Sequence, residues 1–129
     1  MRYLFDSAAL IALFGNEKGA RKVEALLDQV ERGSVEGYIS AITLTEVYYK
    51  YAKVDEKAAN ERIDKIMASK LKVVDTNGMV ALRAGKYKLK PIPLADAVIA
   101  ASAFEQRAHL VADNDKHFRE LGINVLNFR

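Results

Sequence analysis

Strand-like and helix-like segments alternate along this chain from end to end, and that alternation narrows its fold more than any other feature. Arg2 to Asp6 reads as a short apolar strand, and the run Ala8 to Phe14 after it as a helix broken by Gly15 and Asn16. A second helix, Ala20 to Glu31, places Val23, Leu26, Leu27 and Val30 at i, i+3, i+4 and i+7 of one face. Val35 to Ile39 is the next strand. Ser40 to Thr43 leads into a helix on which Leu44, Val47, Tyr48 and Tyr51 share a side. Asp55 to Ala68 is a charged helix with Ala58, Ile63, Ile66 and Met67 as its less polar positions. Leu71 to Val74 then forms a strand, Asn77-Gly78 a turn and Met79 to Lys88 a helix, followed by the loop Lys90-Pro91-Ile92-Pro93. Leu94 to about Arg107 is a helix apolar on nearly all sides, hence expected to be central. His109 to Ala112 is a strand, Lys116 to Leu121 a short helix and Asn124 to Leu126 the last strand. Strands separated by helices throughout imply a three-layer α/β/α arrangement of Rossmann-like topology. Its central parallel sheet of about five strands carries helices on both faces.

A chain of 129 residues fits one domain, residues 1–129, and buries roughly 68% of the surface its unfolded form exposes. Hydrophobic residues make up 50% and charged residues 29%, so the composition is that of a folded protein with a densely charged surface. No cysteine is present, which excludes disulfides, thiolate zinc sites and cysteine nucleophiles. The two histidines, His109 and His117, lie eight positions apart and do not stack on one helical turn as a zinc-binding pair would. Hard-cation chemistry through oxygen ligands remains. The longest apolar run, Ala8 to Phe14, is far short of the roughly 20 residues that span a bilayer, so the protein is expected to be cytoplasmic, with no membrane partner. A formal charge of +3 is mild yet compatible with a polyanionic ligand.

Five carboxylates stand where an apolar segment meets a polar turn: Asp6, Glu46, Asp96, Asp113 and Asp115. Each has an ordinary explanation. Asp6 suits a helix cap, and Thr43-Leu44-Thr45-Glu46 fits the capping box. Asp96 lies in a first helical turn, where negative charge favours the dipole, and Asp113-Asn114-Asp115 suits an Asx turn. Together they point elsewhere, because a doubly wound parallel sheet gathers the carboxyl ends of its strands into one crevice. Clustered carboxylates repel one another unless a cation neutralises them or a proton is taken up. Mg²⁺ or Mn²⁺ suits an all-oxygen site, and such a site suits phosphodiester hydrolysis. No Walker sequence is present, and the DxD signature of phosphoaspartate hydrolases is missing after the first strand.

The run RYLFDSAALIALF resembles the opening of PIN domains, and ISAITLTEVYY resembles their second motif. PLADAVIAASAFEQRAHLVADND is similar to the third and fourth, and DKHFRELGINVL to the closing helix and strand, with the variable region from Asp55 to Leu89 unmatched. The resemblance implies a PIN-like fold and a Mg²⁺- or Mn²⁺-dependent ribonuclease acting on RNA. For a chain of this length it further implies a VapC-type toxin, a small antitoxin whose tail covers the acidic pocket, and a homodimer. It carries Asp6, Glu46 and Asp96 over as metal ligands. The fourth acid departs from the pattern: the family's Thr or Ser position holds Asp113, and the acid falls at Asp115, so either or both contact the metal. The alternative is a non-catalytic PIN-like protein that binds RNA or an antitoxin.

Ser7 and Thr43 are candidates for orienting metal-bound water or a carboxylate by hydrogen bonding and for touching substrate, or else are helix caps. Arg83, Lys86, Lys88 and Lys90, with Tyr87 among them, form a basic stretch suited to RNA phosphates or to a solvated helix face; Lys86, Lys88 and Lys90 are the expected substrate contacts. Tyr48 and Tyr51 are expected in a core or dimer contact, Tyr49 nearer Glu46 and substrate. His109 is expected to be structural and His117 to lie at the pocket rim.

Overall fold

The computed structural model describes residues 1–129 apart from Asn114, and of Asp115 only the backbone. Five strands form one parallel sheet: β1 (Arg2–Phe5), β2 (Glu36–Ser40), β3 (Lys72–Val74), β4 (His109–Ala112) and β5 (Val125–Asn127), in the order β3-β2-β1-β4-β5. Tyr3 is opposite Gly37 on one side and His109 on the other, which fixes the register of the three central strands. Between the strands run α1 (Ser7–Phe14), α2 (Ala20–Glu31), α3 (Ala41–Ala52), α4 (Glu56–Ala68), α5 (Gly78–Tyr87), α6 (Leu94–Gln106) and α7 (Asp115–Arg119).

Because side chains alternate across a strand, the sheet feeds two cores. Leu4, Tyr38, Leu110 and Ala112 face one side, where they meet Val80 and Ala84 of α5, the small residues of α6 and Phe118 of α7. Phe5, Ile39 and Val111 face the other, against α1, α2, Val47 of α3 and Ile66 of α4. Both faces are covered, as parallel sheets require. Fully burying side chains such as Leu4 and Phe5 contributes roughly 1.5–3 kcal/mol each. Helix α6 is the central one expected: every residue from Ala97 to Ala103 is buried, and its alanines let the backbone lie close to the sheet.

Close approach explains two glycines. A Cβ on Gly37 would lie 2.7 Å from Val30 Cγ2, so α2 could not settle on β2. Gly19 holds φ at 90° ahead of α2, and a Cβ there would run into the Phe128 carbonyl oxygen.

One local expectation fails. Helix α3 begins at Ala41, not after Thr43, because Ser40 leaves β2 in extended conformation and its hydroxyl accepts from the Ile42 N–H at 3.4 Å. Thr43 and Glu46 are therefore inside the helix and form no capping box. On α4 the inward positions are Ala59, Ile63 and Ile66, spaced i, i+4, i+7, while Met67 is 58% exposed. Among the described residues no helix is long and apolar enough to cross a membrane.

Candidate functional site

From β1 the chain moves outward through β2 and β3, then returns to the opposite side of β1 as β4. Where strand order reverses in this way, the connections diverge and leave a crevice beyond the strands' carboxyl ends. Asp6 follows β1, Asp113 follows β4, and the Asp6 N–H donates to the Val111 carbonyl at 3.0 Å, tying the two strand ends side by side. Glu46 projects from the second turn of α3 and Asp96 from the first turn of α6. These four carboxylates line one crevice of about 480 Å³.

Local structure sets each acid. Asp6 caps α1 from extended backbone, its Oδ1 accepting from the Ser7 N–H at 2.8 Å, and only 7% of the residue is exposed. Ser7 Oγ donates to Glu46 Oε1 at 2.5 Å and lies 3.3 Å from Thr43 Oγ1, so two buried hydroxyls hold the glutamate over the end of β1. Asp113 Oδ2 accepts from Arg129 Nε at 3.1 Å, and its carbonyl accepts from Asn127 Nδ2 at 3.2 Å. Asp96 Oδ2 is 3.9 Å from His117 Nε2, a buried nitrogen with no hydrogen-bond partner among the described residues.

The electrostatics follow from burial and crowding. The Asp6 carboxyl is pushed from 3.8 up to about 7, chiefly by removal from water and next by the Asp96 charge. Glu46 and Asp113 add to the rise, and the Ser7 N–H opposes it. Asp96 is raised as well, first by burial, with His117 pulling the other way and Glu46 and Asp113 adding repulsion. A pocket that drives a proton onto one of its acids is one a cation would relieve. All-oxygen donors of this charge fit Mg²⁺ or Mn²⁺. Among the described residues, however, no three Asp, Glu or His side chains are gathered tightly enough to enclose an ion. The four described acids line an open crevice.

Other expected site residues fall elsewhere. Thr43 is 0% exposed, so its hydroxyl supports Ser7 and cannot reach a substrate directly. Lys86 lines a different depression with Met79, Leu82, Arg83 and Glu105. The Lys88 ammonium donates to the Ile92 carbonyl at 2.6 Å, and Lys90 is exposed on the loop; none of the three lines the acidic crevice. Asn114 and the Asp115 side chain lie outside the described residues, so of the two candidate fourth acids only Asp113 is seen in the crevice. His117 lies near Asp96 but is not among the residues that line the crevice, His109 packs against the Tyr3 ring at 6.0 Å, and Tyr49 lines the crevice beside Glu46. Sequence reasoning missed Lys50 and Lys53, which line it too. Their spacing from Glu46, i+4 and i+7, was the available signal.

A doubly wound parallel α/β protein with an acidic crevice at its switch point is the class that fold and site define. Over residues 3–124 the sequence matches the PIN domain family, and the chain belongs to it. Among solved structures it is similar to VapBC2 from Rickettsia felis bound to a DNA fragment from its promoter: TM-score 0.80, 21% identity, 98% of each chain covered. It is also similar to a toxin–antitoxin complex from Klebsiella pneumoniae (TM-score 0.74, 26% identity, 98% of each chain covered). DNA-bound VapBC from Salmonella typhimurium matches with a TM-score of 0.77 and 20% identity, over 100% of this chain and 99% of that one. At 20–21% identity the likeness is one of fold. No match is found among curated proteins.

Proposed function

We propose that this chain is a divalent-cation-dependent endoribonuclease and the toxin of a VapBC-type pair. Membership of the PIN family, whose members are in general nucleases, supports the hydrolase class. The single observation that carries the reading is the crevice itself. Four carboxylates from separate segments meet at the reversal of strand order, and burial, with their mutual repulsion, lifts Asp6 to about 7.

In this reading Asp6, Glu46, Asp96 and Asp113 would hold Mg²⁺ or Mn²⁺, with Asp115 as a further candidate. When bound, the ion supplies positive charge against the phosphoryl oxygens and acidifies water. The chain's own contribution is positional. Ser7 fixes the Glu46 carboxylate, Asp6 is held by its cap bond, and the apolar side chains of Ile11 and Phe118 line the crevice beside the acids. The toxin role rests on fold likeness to VapBC and other toxin–antitoxin complexes, and it implies a small antitoxin covering the crevice and a homodimer.

Cleavage of an RNA oligomer with Mn²⁺ and its loss in EDTA tests the chemistry, and growth arrest relieved by coexpressing the product of an adjacent short reading frame tests the role. Full activity in EDTA overturns the proposal. A second reading, a non-catalytic binder of RNA or antitoxin, is favoured by one feature: among the described residues Asp113 is already engaged by Arg129 and no three acids gather closely enough to enclose an ion. Calorimetric titration with Mn²⁺ separates them, since a catalytic crevice binds the ion in the native protein and not in the Asp6→Asn, Asp96→Asn variant.

A further inference from the structure

We propose that the face of α3 carrying Glu46, Tyr49, Lys50 and Lys53 is the track on which a single RNA strand enters the crevice, Tyr49 stacking a base and the two lysines holding phosphates. The inference rests on the ribonuclease reading and says how substrate is held.

Spacing comes first. Positions 46, 49, 50 and 53 are i, i+3, i+4 and i+7, so one helix face presents a carboxylate, a phenol ring and two ammonium groups in succession. All four line the crevice together with Asp6 and Asp96. Tyr49 and Lys53 also line the adjoining groove, walled by Leu44, Tyr48 and Ile63. They form the ridge between an acidic depression and an apolar one.

Charge comes next. A crevice lined by four carboxylates repels a polyanion, so a phosphodiester reaches it only where cations offset that repulsion at the rim. Lys50 and Lys53 stand there, within two turns of Glu46, and among the described residues neither forms a salt bridge that would occupy its ammonium. The ring completes the set. Tyr49 is 65% exposed, and Lys53 Nζ lies 5.1 Å from its centroid, so the lysine covers part of the ring and keeps a cation beside it. Open aromatic faces flanked by cations hold unpaired bases with little regard to sequence, whereas paired bases in a duplex are already stacked.

The experiment is fluorescence anisotropy of a labelled 12-nucleotide RNA with the full-length protein in EDTA, titrated with salt, alongside a cleavage assay of the wild type with Mn²⁺. Lys50→Gln with Lys53→Gln is expected to weaken binding about tenfold and to lower the salt slope by about 1.4, two phosphates at roughly 0.7 each. Tyr49→Leu is expected to weaken binding about tenfold with the slope unchanged, and Tyr49→Phe to retain it. Duplex RNA should not register the tyrosine. Circular dichroism verifies folding, and the single variants Lys50→Met and Lys53→Met serve if the double one does not fold.

Unchanged affinity and slope in folded variants, with the wild type still cutting RNA, overturn the track and leave the nuclease reading intact. Variants that keep RNA affinity but lose a coexpressed small protein partner assign the face to a polypeptide, which overturns it too. A wild type that neither binds nor cuts RNA removes both readings together.

Discussion

Two lysine-bearing regions flank the acidic crevice at the carboxyl edge of the sheet, and they differ in what their charges already do. On α5 and the loop after it, Arg83 spans to α6, its Nε 3.4 Å from Glu105 Oε1 and its guanidinium 3.6 Å from the Phe104 centroid. Lys88 is spent on the Ile92 carbonyl. That region uses cations to fasten a loop and a helix ahead of Asp96. On α3, by contrast, Lys50 and Lys53 face the crevice without an anionic partner among the described residues. Arg83 and Lys88 thus serve structure, Lys86 and Lys90 are exposed away from the acids, and Lys50 and Lys53 alone of these cations stand at the crevice with their charge available for a ligand.

The largest effect expected is chemical and tells whether the crevice between the two regions is where reaction occurs. On the proposed reading, Asp6→Asn should reduce RNA cleavage by about 10³ or more, since a cation that its carboxylate would help to hold is worth several kcal/mol in the transition state. Binding through α3 should persist. The amide oxygen can still accept from the Ser7 N–H, so the cap of α1 survives. Retained cleavage would detach the chemistry from the crevice and with it the reason for comparing its two flanks.

Next in size is a pH effect confined to the acids. Asp6 titrates near 7 folded and near 3.8 unfolded, so between those values the folded protein binds more protons than the unfolded one. Its stability should fall as pH rises from about 4 to about 7, by at most about 4 kcal/mol for a shift of this size. Thermal melts in EDTA across that range check it. The Asp6→Asn variant should lack this part of the slope, and added Mn²⁺ should restore stability at pH 7.5 by neutralising the deprotonated Asp6 and its neighbours. Changing Lys50 or Lys86 should leave the slope as it is.

How much of this was legible beforehand depends on what kind of neighbour each residue needed. Asp6 and Asp113 could be read because an apolar strand ends at an acid, and parallel topology brings strand ends together without knowledge of any side chain. Glu46 was placed correctly at the crevice although its local pattern was misread. A Thr followed three residues later by Glu satisfies the capping-box rule, and only the extended backbone of Ser40 shows that the helix had already begun. Lys86, Lys88 and Lys90 were expected at substrate because their stretch is basic. Where an ammonium goes is decided by a carbonyl or carboxylate from elsewhere in the chain, such as that of Ile92, and composition carries no trace of it. The same holds for Met67 and Ala59 on α4, whose inward face is chosen by its partner α3.

A smaller effect should separate the fastening region from the free one. Arg83→Ala removes a half-buried ion pair and a cation–π contact at once, and should cost about 1–2 kcal/mol in urea unfolding. It should not alter the salt slope of RNA binding, because the guanidinium is not available to phosphate. A lowered slope in this variant would show that α5 also touches RNA and would dissolve the contrast.

The smallest expected change is the most discriminating. Lys86 lines a depression remote from the acids and is exposed, so Lys86→Gln should shift stability by no more than about 0.5 kcal/mol, the usual range for surface substitutions. Its charge change equals that of Lys53→Gln. If net charge alone drew RNA to the protein, the two variants would lose affinity equally at low salt. If placement decides, Lys53→Gln should lower the slope by about 0.7 while Lys86→Gln leaves it within error, since counterion release counts only phosphates that are touched. Equal slopes would return α3 to the status of one more solvated helix.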